Sequence, residues 1–276
     1  MSNPEERLFT VKKSYPQIWK KIIAEWLSGD AEDAFWLTYS ANYLLKTAGV
    51  RWAIDPYSLF TRVGGGRQPD FKKDLVALQA IALTHRHTDH FDLNLIQALR
   101  KSAITWVIPE FLVEHVLNVV PLENNKIIIP RPGIPFWIEN LKITPFKGLH
   151  IHGELGVPSI GYLLEFNGKR WLFPGDTRTY DFSQLSDFGK LDGVVAHLWL
   201  GKGEALKSIP SQTQAFCEFF SQFDAKQLII THLCEYGREP DEMWDIHHFQ
   251  MVKSIMQEHN PNLKIRAGLM RDRINL

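Results

Sequence analysis

The chain has 276 residues, with 31 Lys and Arg against 31 Asp and Glu, so its formal net charge is zero with neutral histidines. That balance argues against a protein built to coat nucleic acid, which needs surplus cations clustered on one face, and 45% hydrophobic with 22% charged residues predicts a globular domain rather than disorder. Two cysteines, Cys217 and Cys234, exclude both a disulfide framework and a four-thiolate metal site.

In residues 15–27, Ile18, Ile22, Ile23, Trp26 and Leu27 recur at helical spacing among Lys20, Lys21 and Glu25, which predicts an amphipathic helix stopped by Ser28-Gly29-Asp30. Extended segments at 35–45 and 50–54, joined through Thr47-Ala48-Gly49 and closed by Asp55-Pro56, predict a β-hairpin. Gly64-Gly65-Gly66 reads as a flexible loop; with no Lys-Ser/Thr after it, a phosphate cradle is disfavoured. A short strand at 80–84 and a helix at 93–99 follow, so His85, His87 and His90 fall on a strand-to-helix loop. Next come a strand at 104–108, a helix at 111–119 and a strand at 126–129. The stretch 136–173 is β-rich, with a hairpin of 162–166 and 171–173 turning at Asn167-Gly168. The last third alternates again: strand 193–200, helix 212–223, strand 227–231, helix 241–258, strand 263–267. This order predicts an α/β fold with two sheets sandwiched between helical layers. The division expected is a helical extension at 1–30 and one domain at 31–276.

Three of eleven histidines lie within six residues, in Thr84-His85-Arg86-His87-Thr88-Asp89-His90. On an extended loop, His85 and His87 point to one side and can share a cation, while Asp89 and His90 turn toward a neighbouring point. Four potential ligands this close outweigh the ordinary reading of a loop histidine as solvated.

The cluster resembles the HxHxDH signature of the metallo-β-lactamase superfamily, a group of mostly hydrolytic metalloenzymes. The resemblance implies an αββα sandwich of two mixed β-sheets flanked by helices. It also implies a further His after the next strands, an acidic turn after a hairpin, and a last His after a late strand. Leu149-His150-Ile151-His152, Pro174-Gly175-Asp176-Thr177 and Ile230-Thr231-His232 supply them. Carried over, His85, His87 and His150 hold one metal, Asp89, His90 and His232 the second, and Asp176 bridges. His152 is the alternative to His150, with a place at the pocket rim as its other reading. The implied cofactors are two divalent ions, zinc first, with manganese or iron as alternatives. The implied chemistry is attack by a metal-bridging hydroxide on a carbonyl or phosphoryl centre.

Asp89 and His197 are the residues assigned a catalytic role; His197 binds substrate or protonates a leaving group, or is a buried structural histidine. Arg178 is either a partner for an anionic substrate group or a member of an ordinary salt bridge. Trp199, Tyr236 and Arg238 are candidate pocket walls. Cys234 reads as a small buried hydrophobe, and His247-His248 as surface or core.

His87, where diiron oxygen or nitric oxide reductases resemble HxExDH, disfavours a redox role. Asp55-Pro56 and the short spacing from Gly-Asp-Thr to the last His resemble the L-ascorbate-6-phosphate lactonase-like branch, alongside N-acyl-phosphatidylethanolamine phospholipase D-like phosphodiesterases. The function expected is a metal-dependent hydrolase of a small ester, lactone or phosphodiester. A non-enzymatic metal- or partner-binding protein on the same scaffold and a tRNase Z-like nuclease are the alternatives. A small-molecule substrate is expected, without nucleic acid or a membrane span, and a homo-oligomer is left open. A cytoplasmic location is expected, since the N-terminus lacks the apolar core of a signal peptide.

Overall fold

The computed structural model describes residues 4–29, 32–118, 120–122 and 126–276. The expected domain boundary at 30/31 and the expected helix end at Val119 lie outside these residues. The elements run α1 (Pro4–Leu27), β1 (Ala34–Leu37), β2 (Tyr43–Thr47), β3 (Val50–Ile54), α2 (Leu59–Val63), α3 (Phe71–Asp74), β4 (Ala80–Ala82), α4 (Leu93–Leu99), β5 (Thr105–Val107), α5 (Glu110–Leu117) and β6 (Lys126–Ile128). Then follow β7 (Phe136–Ile138), β8 (Leu141–Lys147), β9 (Ile160–Phe166), β10 (Lys169–Phe173), β11 (Gly193–His197), α6 (Thr213–Ser221), β12 (Gln227–Thr231), α7 (Ile246–His259), β13 (Lys264–Ala267) and β14 (Arg273–Asn275).

The strands form two seven-stranded sheets, in orders β14-β1-β2-β3-β4-β5-β6 and β13-β12-β11-β10-β9-β8-β7. Each is mixed: the first is antiparallel from β14 to β3 and parallel from β3 to β6, the second parallel from β13 to β10 and antiparallel from β10 to β7. The period-2 geometry of a strand sorts side chains between layers. Phe35, Leu37, Trp52, Trp171, Phe173, Val195 and Ile229 fill the space between the sheets. Their neighbours Trp36, Ala53 and Ile81 face the helices over the first sheet, and Leu172, Val194, Leu228 and Ile230 those over the second. Strands apolar on both faces are what burial in such an αββα sandwich demands.

Several elements differ from the sequence reading, two of them near the N-terminus. The helix expected at 15–27 extends back to Pro4 and passes through Pro16. Pro16 lacks one backbone donor, but burial of Tyr15, Trp19, Ile22, Ile23 and Trp26 against the first sheet outweighs that loss. The segment expected as one extended run at 35–45 is two strands, β1 and β2, separated by a turn that carries Asn42. Asn42 Nδ2 donates to the carbonyls of Asp55 and Asp89, 2.8 Å each, and so ties this turn to the histidine loop.

Candidate metal centre

The candidate ligands all leave the same edge of the sandwich. The β4–α4 loop carries His85, His87, Asp89 and His90, while His150 follows β8, Asp176 follows β10 and His232 follows β12. The loop is closed by Asp92, whose carboxylate accepts from Asn94 N and Leu95 N and caps α4. Gly156 lets the next loop fold onto His150, because a Cβ there would lie 1.9 Å from the His150 carbonyl oxygen. Asp55 and His232 hold left-handed backbone, φ 44° and 64°, which non-glycine residues adopt at a cost and which clusters at functional sites.

His85, His87, His150 and Asp176 converge, as do Asp89, His90 and His232. Asp176 touches both groups: Oδ2 lies 3.6 Å from His85 Nε2, and Oδ1 lies 3.3 Å from His90 Nε2 and 3.8 Å from His232 Nε2. Asp89 Oδ2 is 3.3 Å from His232 Nε2, and His150 Nε2 is 3.0 Å from His87 Nδ1. His152 is exposed and outside both groups, with Nδ1 near Thr179 Oγ1.

The donor set fits divalent cations. Buried ring nitrogens normally find partners, yet His85 Nε2, His90 Nε2, His150 Nδ1 and both nitrogens of His232 lack a hydrogen bond. Burial pushes His85 well below the usual imidazole range and His150 down to about 3, so both present neutral, ligand-competent rings. Burial would raise the carboxyls of Asp89 and Asp176, but the His232 ring 3.3 Å from the first and the charge of His90 beside the second hold both well below the usual range. By the same coupling His90 is held up, against its burial, chiefly by Asp176. Two buried carboxylates thus draw protons onto imidazoles, a charge balance that divalent cations supply directly.

Around the ligands lies a shell of partners, in which the sequence reading named His197 and Arg238 but gave no site role to Asp55, Thr84, Tyr43 or Glu235. His90 Nδ1 meets Asp55 Oδ2 at 2.9 Å, and Asp55 also accepts from Thr84 N and Thr84 Oγ1. Such carboxylate partners fix ring orientation and tautomer. His197 is buried, with Nδ1 2.8 Å from Asp176 Oδ1 and Nε2 2.8 Å from Tyr43 Oη, which in turn meets Thr231 Oγ1 at 2.7 Å. Burial pushes His197 down to about 4, so the neutral ring donates to Asp176 and accepts from Tyr43. Both nitrogens are therefore engaged by protein groups, a geometry that favours orienting Asp176 over protonating a leaving group. Arg238 sits 3.0 Å from Asp89 Oδ2 and also pairs with Glu235, itself 3.3 Å from Arg62.

The centre opens into a cavity of about 610 Å³ lined by, among others, Arg86, His87, Asp176, Arg178, Trp199 and Arg238. Arg178 is half-buried and stacks on Trp199, its guanidinium carbon 4.1 Å from the ring centroid. It forms no ion pair among the described residues, which corrects the expectation of an ordinary salt bridge. Tyr236 lies instead beside α1, with its backbone carbonyl accepting from Tyr39. Cys234 packs against the apolar layer over the second sheet, and burial pushes its thiol up to about 11.

Fold and site together define a metallo-β-lactamase-type scaffold, and the chain belongs to the β-lactamase superfamily: the family model described as a beta-lactamase superfamily domain matches residues 54–233. Similar solved structures include a metallo hydrolase from the archaeon Ignicoccus hospitalis, at TM-score 0.63 and 14% identity over 88% of this chain and 97% of that one. An isothiocyanate hydrolase from Delia radicum gut bacteria matches at 0.63 and 19%, over 88% and 99%. The diiron β-hydroxylase CmlA from Streptomyces venezuelae matches at 0.63 and 15%, over 89% of this chain and 54% of its own, so this chain spans about half its length. A search of curated proteins finds no match. Among the described residues no helix is long and apolar enough to cross a membrane.

Proposed function

We propose that the protein is a metal-dependent hydrolase of small ester, lactone or phosphodiester substrates. His85, His87 and His150 would hold one divalent cation, Asp89, His90 and His232 a second, with Asp176 between them. The observation that carries this reading is the placement of Asp176, one carboxylate oxygen toward His85 and the other toward His90 and His232. Bound cations supply Lewis acidity and a water acidified to near neutral pH. The chain's own residues do the rest. Asp55 orients His90, the Tyr43–His197 pair orients Asp176, and Arg238 pairs with Asp89 Oδ2 and holds it in place. The cavity beside the centre gives a small substrate room to approach from the Arg178 side. The lactonase-like branch is supported by Asp55-Pro56, since Asp55 is built into the site. Zinc is the first candidate, and manganese or iron suit the same ligands.

The test joins metal analysis of the purified protein with a panel of esters, lactones and phosphodiesters. Near two equivalents of metal and turnover of one class are expected, with Asp89→Ala and His87→Ala abolishing that turnover while leaving the circular dichroism spectrum intact. Metal without turnover of any panel member would favour the non-enzymatic alternative.

A further inference from the structure

We propose that Arg178 is the receptor for an oxyanion on the substrate, a phosphoryl or carboxylate group, so that the natural substrate is anionic beside its scissile bond. This rests on the hydrolase reading above and deepens it.

Arg62 and Arg238, which also line the cavity, are committed to protein carboxylates: Arg62 to Glu235 and Arg238 to Glu235 and Asp89. Arg178 is not, for it has no ion pair among the described residues. Its Nε is buried and without a hydrogen-bond partner. A half-buried guanidinium in that condition carries a standing desolvation cost unless an acceptor arrives.

The side chain is also held in place. Its backbone N–H and that of Thr179 both donate to the Leu149 carbonyl, at 2.8 and 3.0 Å, which anchors the turn directly beside His150. Trp199 supports the planar face of the guanidinium from one side. The arginine stands two residues past Asp176, and its charge is felt at His87 and His150. An anion on Arg178 would therefore lie next to the centre rather than at a remote point. Arg86, exposed at the rim of the same cavity and with no ion pair among the described residues, adds positive potential at the mouth. A planar, forked donor pre-set on an aromatic face suits an oxyanion with two acceptor oxygens, whereas a lysine would offer only a point charge.

The experiment uses the metal-loaded protein, its Arg178→Gln and Arg178→Lys variants, and calorimetric titration with inorganic phosphate and, separately, acetate. Arg178→Gln is expected to weaken oxyanion binding about tenfold, with Arg178→Lys in between. Loss confined to the phosphate arm assigns a phosphoryl group, and loss confined to the acetate arm a carboxylate. In parallel, the ratio of kcat/KM for the anionic bis(p-nitrophenyl) phosphate to that for the neutral p-nitrophenyl acetate should fall about tenfold in Arg178→Gln. The proposal is overturned if neither anion binds the wild type, or if both bind wild type and Arg178→Gln within about twofold of each other. An unchanged kcat/KM ratio, where both esters turn over, overturns it equally. Because the titrations need no turnover, a protein that binds oxyanions through Arg178 but hydrolyses nothing would sink the hydrolase reading and keep Arg178 as an oxyanion receptor for a bound ligand, while overturning the scissile-bond part of the proposal. Should Arg178→Gln melt early, Arg178→Lys, which keeps the charge and loses the fork, carries the comparison.

Discussion

At the scale of single residues, the site divides into groups aimed at cations and groups that aim them. The run from Thr231 through Tyr43 and His197 to Asp176 is of the second kind, each step a hydrogen bond of 2.7–2.8 Å inside the sandwich. Tyr43→Phe removes the donor to His197 Nε2 and leaves that ring free to take the wrong tautomer; His197→Gln keeps polarity but loses the ring. Both are expected to weaken metal affinity about 10- to 100-fold, the usual effect of losing a partner that orients a ligand. Competition with a calibrated chelator measures it, and affinity equal to wild type in both variants would remove the orienting role. The ligand candidates were legible in the sequence because four of them crowd into six residues, where few structural explanations compete. Their supports were not, since Tyr43 and His197 are separated by 154 positions and Asp55 and His90 by 35. A lone Tyr at the start of a strand or an Asp before a Pro carries no signal of what the folded chain will bring against it. His150 was separable from His152 only through the loop that Gly156 permits, which turns one imidazole inward and leaves the other at the rim.

At the scale of elements, alternation located most of the strands, though not β14, because their two faces meet two different apolar layers, while their ends and the helix starts depended on capping contacts. Helix α7 shows this. The apolar spacing predicted a helix from 241, but the chain makes a short 3₁₀ turn at Pro240–Glu242 and restarts at Ile246. Asp245 is the reason: its carboxylate accepts from His247 N at the helix N-terminus, and the neutral His248 ring accepts through Nδ1 from Asp245 N, a reciprocal cap with His in the place of the usual Glu, whereas the protonated ring donates from that nitrogen to Asp245 Oδ1, 2.9 Å away. His248 Nε2 also meets the Ala205 carbonyl at 2.8 Å. Asp245→Ala is therefore expected to cost about 1 kcal/mol of stability by urea unfolding. The pH dependence follows from the two partners. His248 is raised, burial being outweighed by its hydrogen bonds to Asp245 and the Ala205 carbonyl together with the Asp245 charge, so its contribution is full below the unfolded imidazole value and fades as pH climbs through the raised folded one. Asp245 is lowered by the same contact, so its share is full above the unfolded carboxyl value and fades on acidification. The stability difference between wild type and Asp245→Asn should then peak at about pH 5 to 6, between the two unfolded values. A difference flat from acid to alkaline pH would remove the charge component from the cap.

At the scale of the whole molecule, the candidate centre ties the two sheets together at one edge, outside their apolar interface. The histidine cluster follows β4 of one sheet, whereas His150, Asp176 and His232 follow β8, β10 and β12 of the other. Cations held by both sets would oppose separation of the sheets, and an unfolded chain that scatters the ligands would bind far more weakly. Binding selective for the folded state stabilises it by mass action, about 4 kcal/mol at a free metal concentration a thousandfold above Kd. For a chain of this length that corresponds to a rise in Tm of roughly 5 to 15 °C. Chelation is expected to lower Tm by that amount and metal to restore it. Asp176→Asn, which weakens the carboxylate placed between the two histidine groups, should abolish most of the metal-dependent shift. Asp245→Ala, whose hydrogen bonds go to His247 and His248 and not to the candidate ligands, should lower Tm in the loaded and stripped proteins alike and keep the shift whole. An equal shift in wild type and Asp176→Asn would mean that the stabilising metal binds elsewhere, and the junction between the sheets would then rest on the apolar layer of Phe35, Trp52, Trp171 and Phe173 and on hydrogen bonds such as those of Tyr43 to His197 and Thr231.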